Sequence, residues 1–271
     1  MMKIPLHRHN KALVIFLMTV SILLVSCEKV IDIDLNSSDP HIVIEGSISD
    51  GTDPCTVRIC RTVNFDEKNE FPSVTGADVV VSDDRGKNEV LTESEPGTYK
   101  TYNLAGEPGR IYTLKVVADG KEYVAVSTMP EPVYIDSLRI QNLSFGGNKS
   151  KVLNVYFQDP PNIKNYYRFV EERNGIVTKY LFLFEDRIQD GNALTVTLFA
   201  EEDTLRTGDN VLIHLQTIDK NVYDFFRTTR QAGGGGGPQA ASPANPISNI
   251  SSGALGYFSA YAERRMNIVV Y

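Results

Sequence analysis

From His41 to Tyr271 apolar and β-branched residues recur at every second position in short runs, and Gly, Asn, Asp or Pro closes most of them. A period of two sends alternate side chains to opposite faces of an extended backbone, so such a run buries one face only as a strand. The pattern predicts strands at 41–48, 56–63, 77–82, 89–92, 98–101, 112–118 and 122–128. Ser49-Asp50-Gly51, Asp84-Arg85-Gly86 and Asp119-Gly120 supply the bends, because Gly takes positive φ freely and Asp tolerates it. Seven short strands with no helical period predict an Ig-like β-sandwich over residues 41–130, ending at the junction Met129-Pro130-Glu131-Pro132.

The alternation resumes at 134–142, 151–158, 166–173, 176–184, 193–200 and 211–218, with Asn174-Gly175 and Asp190-Gly191 as turns. The expected fold is therefore all-β: an N-terminal Ig-like sandwich, then a second antiparallel β-rich domain over residues 133–271 that carries one short helix. That helix is read near 220–231, where Val222, Phe225, Phe226 and Thr229 fall at helical spacing. Asp219 would cap its start and Gly233 its end. An aromatic stripe at this spacing marks a helix laid on a sheet. Residues 233–253 read as a flexible loop opened by five glycines. They are not a phosphate loop, since no strand precedes them and no Gly-Lys-Ser/Thr ending follows. Residues 255–261 and 266–271 read as two closing strands.

The first 26 residues hold Lys3, Arg8 and Lys11, no acid, and an apolar run from Ala12 to Val25. At about 14 residues that run falls short of the ~20 needed to cross a bilayer, so it reads as a signal peptide. Leu24-Val25-Ser26-Cys27 resembles the bacterial lipobox, which implies cleavage before Cys27 and lipid on its sulfur. More than one acyl chain is required for a stable anchor, and a diacylated or triacylated cysteine supplies that. Residues 27–40 then form an acidic tether.

The whole chain has a formal charge of −7, and removing the basic leader leaves the remainder more acidic. Nucleic acid is thereby set aside as a partner, since its binding rests on Lys and Arg neutralising phosphates. Cys55 and Cys60 would lie about 17 Å apart in one strand, on opposite faces, beyond the roughly 7 Å limit for a disulfide. Two free thiols are expected, with Cys55 on the face of Val57 and Ile59. No metal site and no cofactor are expected, because only His41 and His214 follow the leader. Asp83-Asp84 and Glu201-Glu202-Asp203 lie beside turns and read as solvated hairpin ends.

Two resemblances can be drawn. Val74-Thr75-Gly76-Ala77-Asp78-Val79, Gly97-Thr98-Tyr99 and the run from Pro108 to Val116 are similar to the carboxypeptidase-regulatory or transthyretin-like type of Ig-like sandwich, which speaks to fold rather than function. Across nearly the whole chain, Cys27-Glu28-Lys29-Val30-Ile31-Asp32-Ile33-Asp34-Leu35, Val43-Ile44-Glu45-Gly46, Ile135-Asp136-Ser137-Leu138, Asn165-Tyr166-Tyr167-Arg168-Phe169, Phe184-Glu185-Asp186-Arg187 and the blocks from Asn245 to Tyr261 resemble the Bacteroidota lipoproteins grouped as domain-of-unknown-function family 4249. That resemblance implies an outer-membrane lipoprotein working beside a TonB-dependent receptor, and implies no reaction.

The function expected is a non-catalytic binding or accessory module in nutrient uptake. The alternatives are a structural or adhesive surface protein and, third, a hydrolase with an unrecognised acidic site. Asp136-Ser137-Leu138 and Asp203-Thr204-Leu205 resemble an Asp-Ser/Thr-apolar O-glycosylation acceptor, which makes Ser137 and Thr204 candidate modification sites. Residues 238–250 are a candidate partner contact, through Asn245 and Asn249, with the 255–261 strand beside them.

Overall fold

Strand β1 (Ile42–Ser49) lies inside a sheet rather than at its start, because partners come to it from both ends of the chain. A computed structural model describes residues 40–64, 70–145, 148–186, 190–200, 204–232 and 245–271. The expected signal peptide, Cys27, the expected tether before Pro40, the glycine run 233–237 and residues 238–244 of the candidate partner contact lie outside the described residues.

The first half follows the expected pattern closely. β2 (Cys55–Arg61), β3 (Asp78–Asp83), β6 (Thr98–Thr101), β7 (Ile111–Ala118) and β8 (Lys121–Thr128) fall where the alternation put them. The run 89–92 does not form one strand. It splits into β4 (Asn88–Val90) and β5 (Thr92–Glu95), which belong to different sheets. Leu91 between them is buried and its N–H donates to Val79 O, so the chain changes sheets where a side chain must enter the core. One layer, β4-β3-β7-β8, faces β5-β6-β2-β1 across a core that includes Ile44, Val57, Ile59, Tyr99, Val79, Val81, Leu114 and Val116.

The second half has β9 (Ile135–Phe145), β10 (Asn148–Gln158) and β14 (Ala193–Leu198) in a three-stranded sheet, ordered β14-β10-β9. Opposite it stand β11 (Tyr166–Arg173), β12 (Ile176–Val177), β13 (Phe182–Glu185) and β15 (Asn210–Ile218). The predicted strand 176–184 is thus two short pieces, both paired with β11. Val155, Phe157, Tyr167, Phe169, Ile213 and Leu215 fill the space between these layers. Phe157 meets Tyr167 edge-on, their ring centres 5.0 Å apart.

The two closing strands expected at 255–261 and 266–271 are one strand, β16 (Leu255–Val269). Its first part runs parallel to β1, with Val43 opposite Leu255 and Ser49 opposite Tyr261. Its second part runs antiparallel to β15, from Thr217 opposite Ala262 to Asn210 opposite Val269. Fifteen residues at about 3.3 Å each give a strand of roughly 50 Å. It joins the inner layers of both halves into a nine-stranded sheet. The expected division at residues 130–133 therefore fails for this strand: Phe258, Ala260 and Ala262 belong to the first core. Alternation breaks at Glu263-Arg264-Arg265, which is why the sequence reads as two pieces, and each of these charges finds a partner instead. Arg264 reaches Asp50 at 2.7 Å and Arg265 reaches Asp53 at 2.8 Å.

Helix α1 (Lys220–Arg230) is the one α-helix among the described residues. Asp219 caps it, its Oδ1 accepting from Val222 N at 2.9 Å. Its end departs from expectation: Gln231 keeps helical backbone and donates to Arg227 O and Thr228 O, and the proposed cap Gly233 is not among the described residues. Eleven residues are marginal as a free helix in water. Burial of Val222, Tyr223, Phe225 and Phe226 against Tyr166, Ile218, Tyr257 and Tyr261 supplies what propensity does not. At about 1.5–3 kcal/mol per large apolar side chain, that contact outweighs any capping term.

Candidate functional site

The residues singled out from sequence do not converge. Ser137 is half-buried in β9, opposite Tyr156 of β10, and Asp136 before it is exposed. Thr204 is half-buried, next to buried Leu205, while Asp203 lies outside the described residues together with Glu201 and Glu202. Asn245 is exposed. Asn249 is not a free contact: its Nδ2 donates to Phe258 O at 2.8 Å and its Oδ1 accepts from Phe258 N at 2.9 Å. The 255–261 strand does lie beside this loop, through the Asn249–Phe258 bonds, but β1 pairs along its other edge and Phe258, Ser259 and Ala260 are buried, so it offers no free surface there.

What residues 249–252 do is cover the outer edge of β8. Ser251 N donates to Val124 O, Ser251 Oγ accepts from Val124 N at 2.8 Å, and Ser252 Oγ donates to Glu122 O at 3.0 Å. An uncovered strand edge is a template for pairing with another chain. A groove of about 400 Å³ remains between this loop, Val124 and Val126 of β8, and Asn221 and Asp224 of α1.

Three carboxylates come together at the end of the second sandwich, and nothing in their spacing announced it. Asp159, Asp186 and Asp190 each offer an oxygen, and these lie within 4.8 Å of one another. Asp159 is wholly buried and Asp186 nearly so. Oxygen ligands of this kind suit a hard divalent cation. Here, however, the chain supplies donors of its own. Asp159 accepts from the Tyr167 hydroxyl, from Asn165 Nδ2 at 3.3 Å and from Gly191 N at 3.1 Å. Asp190 accepts from Asn162 N at 2.8 Å. Burial, with the charges of Asp159 and Asp186 behind it, pushes the Tyr167 hydroxyl far above its ordinary pKa. The cluster ties the 159–165 segment to Tyr167 and to the turn at Asp190-Gly191.

A second polar network lies on the face of β11, β15 and β16 beyond the helix. His214 Nδ1 is 3.1 Å from Glu263 Oε1 and Nε2 is 3.7 Å from Glu172, while Gln216 Nε2 donates to Glu263 Oε2 at 2.8 Å. Burial works to raise the Glu263 pKa, but hydrogen bonds from His214, Gln216 and Arg265 outweigh it and bring the carboxyl down to about 2. The ring nitrogens of His214 face carboxylates, not a hydroxyl or thiol that they could activate. Cys55 and Cys60 are free thiols, as expected. Cys55 shares the buried face of Val57 and Ile59, and desolvation pushes its thiol up to about 12, far from a reactive thiolate.

Asp83 corrects the reading of a solvated hairpin end. Its side chain is 8% exposed and lies 2.8 Å from Arg110 Nη2, itself 5% exposed. Arg110 also binds Asp84, and Glu107 at 3.2 Å.

A second groove, of about 430 Å³, lies where the β11–β12 hairpin meets the turn before β15. Arg173, Asn174, Ile176, Lys179, Tyr180 and Arg206 are among its walls. Asn174 and Gly175 both take positive φ, 52° and 83°, as a two-residue hairpin turn requires. The Asn174 amide then locks the tip to the opposite wall, donating to Asp209 Oδ1 at 3.0 Å and accepting from Asn210 N at 2.9 Å. The sequence marks Asn174-Gly175 as a turn but not the groove, because the second wall, at Arg206 and Asp209, is distant along the chain.

No curated protein matches the chain. Two solved structures align with it at low scores. A two-domain fibronectin type-III segment of chicken tenascin is 13% identical, over 67% of this chain and 92% of that one, with a TM-score of 0.22. The chicken interferon gamma receptor alpha chain is 8% identical, over 66% of this chain and 89% of the receptor chain, with a TM-score of 0.21. Likeness at that level carries no functional argument. A family model described as "Domain of unknown function (DUF4249)" matches residues 28–267. By that match the chain belongs to the DUF4249 family.

Proposed function

We propose that the protein is an outer-membrane lipoprotein, held by lipid on Cys27, that acts as a non-catalytic binding or accessory module beside a TonB-dependent receptor in nutrient uptake. The observation that carries this reading is the leader: an apolar run too short to span a bilayer ends in Leu24-Val25-Ser26-Cys27. The resemblance to Bacteroidota lipoproteins supports the same reading. Among the described residues no helix is long and apolar enough to cross a membrane. A rigid scaffold of packed sheets with grooves at its loops is what a binding module needs.

The test is co-purification. Full-length chain, tagged at the C-terminus and extracted from native envelopes in mild detergent, should bring down a β-barrel receptor in near-stoichiometric amount. Recovery of the lipidated chain without a barrel, together with clustering at the cell surface, would favour the structural or adhesive reading instead.

A further inference from the structure

We propose that the groove between the β11–β12 hairpin and the 206–209 turn binds a small organic anion of about monosaccharide size, one that bears a carboxylate or a phosphate. The inference does not depend on how the chain is anchored. Its volume of about 430 Å³ is in the range of small-molecule sites.

Charge carries the argument. The whole chain has 34 acidic against 27 basic side chains, yet Arg173, Lys179 and Arg206 line this groove and Asp209 is the one acid among its described lining residues. Asp209 is turned toward the chain, Oδ1 accepting from Asn174 Nδ2 at 3.0 Å and Oδ2 from Arg206 N at 2.8 Å. Those bonds, the Arg206 backbone first, with the charges of Arg173 and Arg206 behind them, outweigh burial and hold its carboxyl below the usual range. Arg173 is held on buried Glu171 at 2.6 Å. Among the described residues Lys179 and Arg206 form no ion pair. An oxyanion between them would gain charge-assisted hydrogen bonds that no carboxylate of the described chain supplies.

The remaining walls explain why the ligand needs a carbon skeleton. Ile176 is 73% exposed, and the half-buried Tyr180 ring lies 6.3 Å from Phe182. Lys179 Nζ is 5.8 Å from the Tyr180 ring centre, so cation and flat apolar surface are adjacent. The amide of Asn174 fixes both walls in advance, which lowers the ordering cost of binding.

Calorimetric titration of the full-length chain in detergent with glucuronate, glucose 6-phosphate, glucose and inorganic phosphate tests the assignment. At least one of the two organic anions should bind saturably, more tightly than inorganic phosphate, and glucose should not; whichever anion binds identifies the oxyanion. Lys179→Ala with Arg206→Ala should weaken that binding at least about tenfold while the melting temperature stays unchanged. Failure of both organic anions to bind, equal binding of glucose or inorganic phosphate, or affinity that survives the double substitution would each overturn it.

Discussion

At the scale of single residues, Gly256 shows how closely two strands approach. Its φ is +97°, and a Cβ there would lie 2.0 Å from Ile44 O across the β1–β16 pair. Gly256→Ala should therefore cost about 3 kcal/mol or more, read as a lower urea midpoint. A wild-type midpoint would show that the strands can part. Glu263 sets a pH dependence. Its folded pKa, about 2, lies below the ordinary 4.5, so its contribution is complete above 4.5 and is lost as pH falls through about 2. Urea midpoints should fall over that window, and Glu263→Gln should flatten that part of the fall while lowering stability at pH 7. An unchanged acid limb in the variant would show that the carboxylate is not the source. Neither residue was legible beforehand. A glycine in a strand shows its clash only when the partner strand is known, and Glu263 read as a break in alternation because His214 and Gln216 are some fifty residues away.

At the scale of elements, what the sequence announced was local periodicity with local punctuation. β11 appears at its expected bounds, and the Asp119-Gly120 and Asn174-Gly175 hairpins turn through positive φ as predicted. The helix was legible for the same reason, since its cap and its aromatic stripe lie within one stretch. Asp219 does more than cap: its Oδ2 accepts from Ser127 Oγ at 2.6 Å and from Thr128 N at 3.0 Å, which pins the helix start to the end of β8. Asp219→Ala should cost about 2 kcal/mol, more than an isolated cap, and Asp219→Asn should recover part of it. Equal stability of the alanine variant in thermal melts would mean that burial alone positions α1. The loop over 249–252 was misread because its partners are the backbone of β8 and β16, and side-chain chemistry does not reveal which strand edge a loop will cover.

At the scale of the whole molecule, the described residues between 40 and 271 belong to one compact unit, although the sequence pattern divides them near residue 130. The prolines at 130 and 132 do separate two layers of strands, but the chain's last strand returns to the first sheet and places Phe258 in its core. A fragment of residues 40–132 lacks that strand and should not fold alone. Its amide NMR spectrum should be collapsed, and a well-dispersed spectrum would restore two independent domains. The functional account rests on the attachment of this unit to a membrane. Fractionation of native cells expressing wild type or Cys27→Ala, with carbonate washing and intact-mass analysis, tests that attachment most directly. Wild type should be processed at Cys27, carry added acyl mass and stay in the outer-membrane fraction, while Cys27→Ala should be unprocessed or soluble. A variant that fractionates with membranes like wild type, or a wild-type chain without acyl mass, would contradict the account.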